Sequence, residues 1–112
     1  MDQISDAYQQ PQHLRLLEPD ETIEVIAETP TAKVVVTDRR LAVANDERVA
    51  LDVGFRALRR IQFDIERHRP ATLVIVPEDP SHEPQVLGVP PESYGEITKA
   101  LAIVGRRLAE TS

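Results

Sequence analysis

Apolar and polar residues alternate along much of the chain before residue 90, and this period of two is typical of half-buried β-strands. The alternation is clearest over 21–28, 49–53 and 61–66, and short polar or proline-containing segments separate the stretches. In the stretch 34–43, Val34 and Val36 share one face, and Leu41 and Val43 form a second apolar row after a polar turn. The pattern as a whole predicts seven strands, at about 21–28, 33–38, 40–45, 48–53, 59–66, 71–77 and 85–89.

Two of these strands carry more specific expectations. In the fifth strand, Ile61, Phe63 and Ile65 alternate with polar residues, so we expect all three to face inward. The sixth strand contains an almost continuous apolar run at 73–76. Such a run predicts a strand that is covered on both faces.

After residue 90 the apolar period lengthens to that of a helix. Pro90, Pro91 and Glu92 supply start signals, and the chain from about 91 to 110 is predicted to be helical. Apolar residues at spacings of three and four form one stripe on this helix, which we expect to pack against the sheets: Tyr94, Ile97, Leu101, Val104 and Leu108. Gly105 interrupts the helix and is expected to permit a close contact with a strand.

Length and composition narrow the classes of protein that fit. The 112 residues suit one domain, which we place at 13–112 after a polar tail at 1–12. The chain contains no cysteine, so disulfides and thiolate chemistry are excluded. The net charge of −6 argues against nucleic acid as a partner. The start lacks a signal-peptide pattern and no apolar run approaches the length of a bilayer span, so we expect a cytoplasmic protein.

The most informative segment is the hairpin at 34–43, whose turn carries Thr37, Asp38, Arg39, Arg40 and Leu41. We interpret these five residues as a structural turn. The Asp38 side chain is expected to bond the backbone two residues on and so close the turn. The two arginines are expected to anchor the strand end by pairing with Asp38 or with backbone carbonyls.

Together with the preceding Asp20-Glu21-Thr22-Ile23, this Val-Val-Val-Thr-Asp-Arg-Arg-Leu hairpin resembles the bacterial pleckstrin-homology-like (PH-like, GRAM-like) domains. Those domains share an acidic E-x-I start and a T-D-x-R-L turn. The resemblance implies a mainly β (α+β) fold. In it, seven antiparallel strands form a partly open barrel of two roughly orthogonal sheets, capped by a C-terminal amphipathic helix. It also implies a domain that is often homo-oligomeric.

Catalytic and metal-binding motifs do not emerge from the sequence. The serines and histidines stand in no nucleophile motif, and the four glycines form no phosphate-binding loop. Asp79, His82 and Glu83 share a proline-rich loop, but their spacing matches no established metal site. We therefore expect no enzyme activity, no catalytic residue, no metal and no cofactor.

Basic residues cluster in the middle of the chain and are the candidates for binding an anion: Arg56, Arg59, Arg60, Arg67 and Arg69. Asp64 and Glu66 lie among them and are expected to pair with them across strands. The leading hypothesis is a non-catalytic interaction module that binds a protein partner or a second copy of itself, helped by open sheet edges. The alternative is peripheral binding of an anionic lipid or phosphate-containing ligand through this basic face.

Overall fold

The computed structural model describes residues 17–111, so the predicted tail at 1–12 lies outside the described residues. Seven strands and one helix follow in order: β1 (Ile23–Glu28), β2 (Lys33–Thr37), β3 (Arg40–Ala44), β4 (Val49–Gly54), β5 (Leu58–Asp64), β6 (Ala71–Pro77), β7 (Gln85–Val89) and α1 (Tyr94–Thr111). Short 3-10 turns at Phe55–Ala57 and Pro91–Ser93 precede β5 and α1.

The strands form two antiparallel sheets. The first has four strands in the order β1-β2-β3-β4, and the second has three in the order β5-β6-β7. Within each sheet, paired strands are consecutive in sequence, which requires only short connections. The prediction of two antiparallel sheets followed by a C-terminal helix is confirmed.

One core joins both sheets and the helix. Val34 and Val36 of β2 and Leu41 and Val43 of β3 belong to it, and all four are fully buried. The two apolar rows predicted for the hairpin are therefore confirmed. β2 is buried on its other face as well, where Val35 is 1% exposed.

The helix packs through a stripe close to the predicted one. Ile97 and Val104 are completely buried, whereas Leu101 is only half-buried. Ala100 is completely buried as well, so the most buried face of the helix runs through Ile97, Ala100 and Val104. At the start of the helix, the Ser93 hydroxyl donates a hydrogen bond of 2.5 Å to the Glu28 carbonyl, which ties α1 to the end of β1.

Three expectations about individual residues are wrong. β5 ends at Asp64, so Ile65 lies beyond the sheet and is 60% exposed instead of facing inward. β6 is not covered on both faces, because burial alternates along it and Val74 and Val76 are only half-buried. A Cβ atom built on Gly105 meets nothing within 4 Å, so this glycine makes no close contact with a strand.

Candidate functional site

The β2–β3 turn is closed by Thr37. Its hydroxyl oxygen accepts hydrogen bonds from the backbone N–H groups of Arg39 and Arg40, both at 3.0 Å. The expectation that Asp38 closes this turn is wrong. The Asp38 carboxylate instead accepts a bond from the Thr22 N–H at 3.0 Å, and the Asp38 N–H donates to the Thr22 carbonyl. Asp38 thereby fixes the backbone of Thr22, the residue that precedes β1.

Beneath this turn lies the carboxylate of Glu21, whose side chain is only 1% exposed. Arg40 holds it with two bonds, from Nε to Oε2 at 2.8 Å and from Nη2 to Oε1 at 3.0 Å. The Thr37 hydroxyl donates to Oε2 at 2.6 Å, and the Glu18 N–H donates to Oε1 at 3.1 Å. Four donors therefore replace the water that this buried carboxylate has lost.

These contacts set the ionisation of Glu21. Burial alone would raise the pKa of the carboxyl, but the hydrogen bonds from Arg40, Thr37 and the Glu18 amide outweigh it and lower the pKa to about 2. The same pairing raises the pKa of Arg40, whose Nη1 also donates to Asp52 at 2.9 Å. Both groups are therefore charged at neutral pH.

The two halves of the motif that carries the family resemblance meet in this cluster. Glu21, from the acidic start, bonds Thr37 and Arg40, from the T-D-x-R-L turn. The pairing of Glu21 with Arg40, which stands nineteen positions further along the chain, was not predicted from the sequence pattern. Only the β1–β2–β3 topology brings them together. Arg39 pairs with Asp20 at 2.7 Å, so both arginines of the turn contact acids that precede β1.

The candidate anion-binding arginines do not form one cluster. Arg56 lies in the 3-10 turn before β5. It lines a cleft of about 440 Å³ together with Phe55, Arg39, Arg107 and other residues of the helix end and the β2–β3 turn. Arg107 in this cleft is already paired with Glu24 of β1 at 3.0 Å.

Arg67 and Arg69 lie in the turn between β5 and β6, and both are exposed. Arg69 contacts Glu66 at 3.6 Å, which is a neighbour within the turn and not a cross-strand partner. At about 3.3 Å per residue, roughly 20 Å of chain separates this turn from Arg60 at the other end of β5.

Arg59 and Arg60 are the two adjacent arginines of the set. The β5–β6 register shifts between Leu58 and Arg60, which leaves Arg59 without a partner on β6, and both arginines are exposed. Neither side chain forms an ion pair or hydrogen bond with another residue in the part of the chain that the structure describes. The predicted pairing with Asp64 is absent, since that carboxylate accepts a bond from Gln62 at 2.9 Å.

Beside this pair lies an apolar surface that the sequence did not reveal. Val74, Val76 and Val86 share the outer side of the three-stranded sheet, and we call them the outer valine face. Val74 stands opposite Val86 in the register, and Val76 stands opposite Arg60. Val86 is 64% exposed. A depression of about 360 Å³ is lined by Val76, Arg59 and Arg60.

Other candidate chemistry is sparse over residues 17–111. His82 lies 3.9 Å from Asp79, and within this range no group of three or more histidine or acidic side chains is arranged to hold a metal ion. Nor does this range contain a helix that is long and apolar enough to cross a bilayer. No protein-family model, curated protein or solved structure matches the chain, so the resemblance to PH-like domains stays a prediction.

Proposed function

We propose that the chain is a non-catalytic interaction module that binds protein through the outer valine face. The observation that carries this proposal is the position of Val74, Val76 and Val86 on the side of an antiparallel sheet that faces water. Such a side normally presents polar residues. Three adjacent valines, with Val86 64% exposed, instead form a small apolar surface beside charged residues. Surfaces of this composition are typical of contact sites between proteins.

The architecture supports a PH-like scaffold for this module. Four strands and then three strands form two antiparallel sheets, and the helix follows them, which is the order that the resemblance implies. The motif residues Glu21, Thr37 and Arg40 are joined by hydrogen bonds at the start of the first sheet. We therefore include a PH-like fold in the proposal.

The filled interior supports a binding role over catalysis. Large apolar side chains occupy the space between the sheets and the helix, among them Leu41, Leu73 and Ile97. A substrate could enter this space only by displacing them. The two arginines of the β2–β3 turn are likewise engaged, Arg39 by Asp20 and Arg40 by Glu21 and Asp52. The surface of the second sheet is then the region best suited to contact a partner.

The test compares two exposed aliphatic residues of similar accessibility. Val86→Asp places a charge on the outer valine face, whereas Ile65→Asp places the same charge on a residue that lies beyond the sheet and is 60% exposed. Molar mass is measured by light scattering over a wide range of protein concentration. In parallel, proteins that the wild type and each variant retain from a lysate are identified, and their complexes are reconstituted from purified components.

A defined oligomer, or a rebuilt complex of fixed stoichiometry, is expected for the wild type and for Ile65→Asp and should be lost in Val86→Asp. A strict monomer that forms no complex sensitive to Val86→Asp would overturn the proposal. Equal effects of the two substitutions would also overturn it, because they would locate the contact away from the outer valine face.

The lipid alternative receives less support from the structure. Its five candidate arginines are divided among a cleft, one end of β5 and the β5–β6 turn, and Arg69 is engaged by Glu66. A flat anionic bilayer would have to contact these separated groups together with the acids between them. Of these five arginines, only Arg59 and Arg60 form an adjacent pair that no acid among residues 17–111 engages.

A further inference from the structure

Resting on the proposed function, we infer that the partner of the outer valine face is an extended acidic peptide segment, with an acidic side chain placed two residues from an aliphatic one. The inference combines two features that adjoin each other, the unpaired Arg59–Arg60 pair and the outer valine face. The arginine pair favours an anionic group in the ligand, and the outer valine face favours an aliphatic one. Because the two features adjoin, one short segment can supply both groups.

The end of the surface at Arg59 and Arg60 favours an anionic group in the ligand. Arg59 and Arg60 are consecutive, exposed residues on β5, an edge strand of the second sheet. Their guanidinium groups, which no side chain of residues 17–111 engages, provide donors in planar arrays that match a carboxylate. Val76 also lines the depression that the two arginines line. A carboxylate bound there would lie directly beside apolar surface.

The apolar end requires an aliphatic group at a defined distance. Val76 stands opposite Arg60, and Val74 is the next residue on the same side of β6. Successive side chains on one side of a strand are about 7 Å apart, at 3.4 Å per residue. An extended peptide has the same spacing between residues i and i+2. A peptide that places an acid in the depression beside Val76 and runs along β6 therefore places its second side chain over Val74, whose register partner is Val86.

The charge distribution favours a peptide over a bilayer. The chain carries a net charge of −6, and acidic residues lie near this surface, at Asp64 on β5 and at Glu78 and Asp79 after β6. A bilayer contacts a wide area and is repelled by all of these acids. A short peptide contacts only the few groups around its binding position, and two of the three residues that line the depression are arginines. Local attraction can therefore coexist with repulsion from an anionic surface.

The experiment uses the full chain and a defined probe. A capped synthetic peptide with the order Glu-Glu-Ser-Leu is titrated into ¹⁵N-labelled protein, and backbone amide shifts are followed by NMR. Two further peptides replace the leucine by serine or the glutamates by lysines. The protein variants are Arg59→Glu/Arg60→Glu and the charge-matched control Arg67→Glu/Arg69→Glu. All four arginines are exposed, and circular dichroism verifies that the variants fold.

The shifts are expected to concentrate on β5, β6 and β7 around Arg59, Arg60, Val74 and Val86. The Kd should rise at least tenfold in Arg59→Glu/Arg60→Glu and less than threefold in the control variant. It should also rise with the serine peptide and with increasing salt, and the lysine peptide should not bind. Shifts located elsewhere, or equal losses in both double variants, would overturn the inference.

Three further outcomes separate this inference from the proposed function. A complex that is lost in Val86→Asp but unchanged in Arg59→Glu/Arg60→Glu would overturn the acidic ligand and leave the protein-binding function intact. Sedimentation of the wild type with phosphatidylglycerol vesicles, abolished by Arg59→Glu/Arg60→Glu, would overturn the inference in favour of a membrane. A homodimer that excludes the peptide would overturn it in favour of a second copy.

Discussion

The Glu21 cluster yields the sharpest prediction about stability. Glu21→Gln keeps the size of the side chain but removes its charge. It also places an amide N–H donor against groups that are themselves hydrogen-bond donors. The pKa of Glu21 falls from 4.5 to about 2 on folding. Each unit of this shift corresponds to about 1.4 kcal/mol, so the ionised carboxylate contributes about 3 kcal/mol to the free energy of unfolding at neutral pH. We expect Glu21→Gln to lose this amount at pH 7.

The pH dependence has a definite sign. Because the folded pKa is below the unfolded value, the contribution of Glu21 is fully present above pH 5 and is lost as the pH falls toward 2. The difference in the free energy of unfolding between the wild type and Glu21→Gln should therefore shrink over this interval. Other carboxyl groups titrate in both proteins, and taking the difference removes their effect.

The measurement is urea denaturation followed by circular dichroism between pH 7 and 2.5, since the chain has no tryptophan to serve as a fluorescent probe. Glu28→Gln is the matched control. That carboxylate is 72% exposed and lies 3.7 Å from Lys33, so its loss should change the free energy of unfolding by less than about 0.5 kcal/mol. A loss below about 1 kcal/mol in Glu21→Gln, or a constant difference from the wild type at all pH values, would refute the reasoning.

Three further predictions about hydrogen bonding, packing and helix stability are tested by the same denaturation assay. Thr37→Val should cost about 2–4 kcal/mol because it leaves two backbone N–H groups and the Glu21 carboxylate without the hydroxyl, whereas Thr37→Ser should retain most of the stability. A similar loss in both would contradict this role. Ile97→Ala should cost about 2–5 kcal/mol and Ile65→Ala less than about 0.5 kcal/mol, since the first side chain is buried and the second is exposed. Gly105→Ala should stabilise α1 by roughly 0.5–1 kcal/mol, and destabilisation would indicate a contact that the open space around this glycine does not show.

Most strands could be predicted because mainly one face of each is buried, which imposes a period of two on the apolar residues; β2 and β3 are buried on both faces and show continuous apolar runs instead. This signal fails at strand ends, where burial ceases although the alternation continues. Ile65 follows Ile61 and Phe63 in phase, but β5 has already ended at Asp64. Pairing of distant charges could not be predicted either. Arg40 had nearer acids in the sequence, and the choice of Glu21 depends on the packing of β1 beside β2.

The outer valine face escaped prediction for a different reason. A run such as Leu73-Val74-Ile75-Val76 arises whenever both sides of a strand avoid water. Burial within the chain and contact with another molecule produce the same pattern. The structure separates the two sides, because Leu73 and Ile75 are buried in the core whereas Val74 and Val76 remain half-buried. A continuous apolar run on the central strand of a three-stranded sheet therefore fits a core on one side and, on the other, the interface that we propose.

The distribution of ion pairs decides where an anionic partner could bind. Arg39, Arg40 and Arg107 each contact a carboxylate within 3.0 Å, at Asp20, Glu21 and Glu24 respectively. A ligand would have to displace these acids, and at Arg40 it would also expose the turn that Thr37 closes. Arg59 and Arg60 impose no such cost, because no acid of the described chain holds them. A basic sequence cluster therefore indicates a binding surface only after the arginines that the fold itself uses have been set aside.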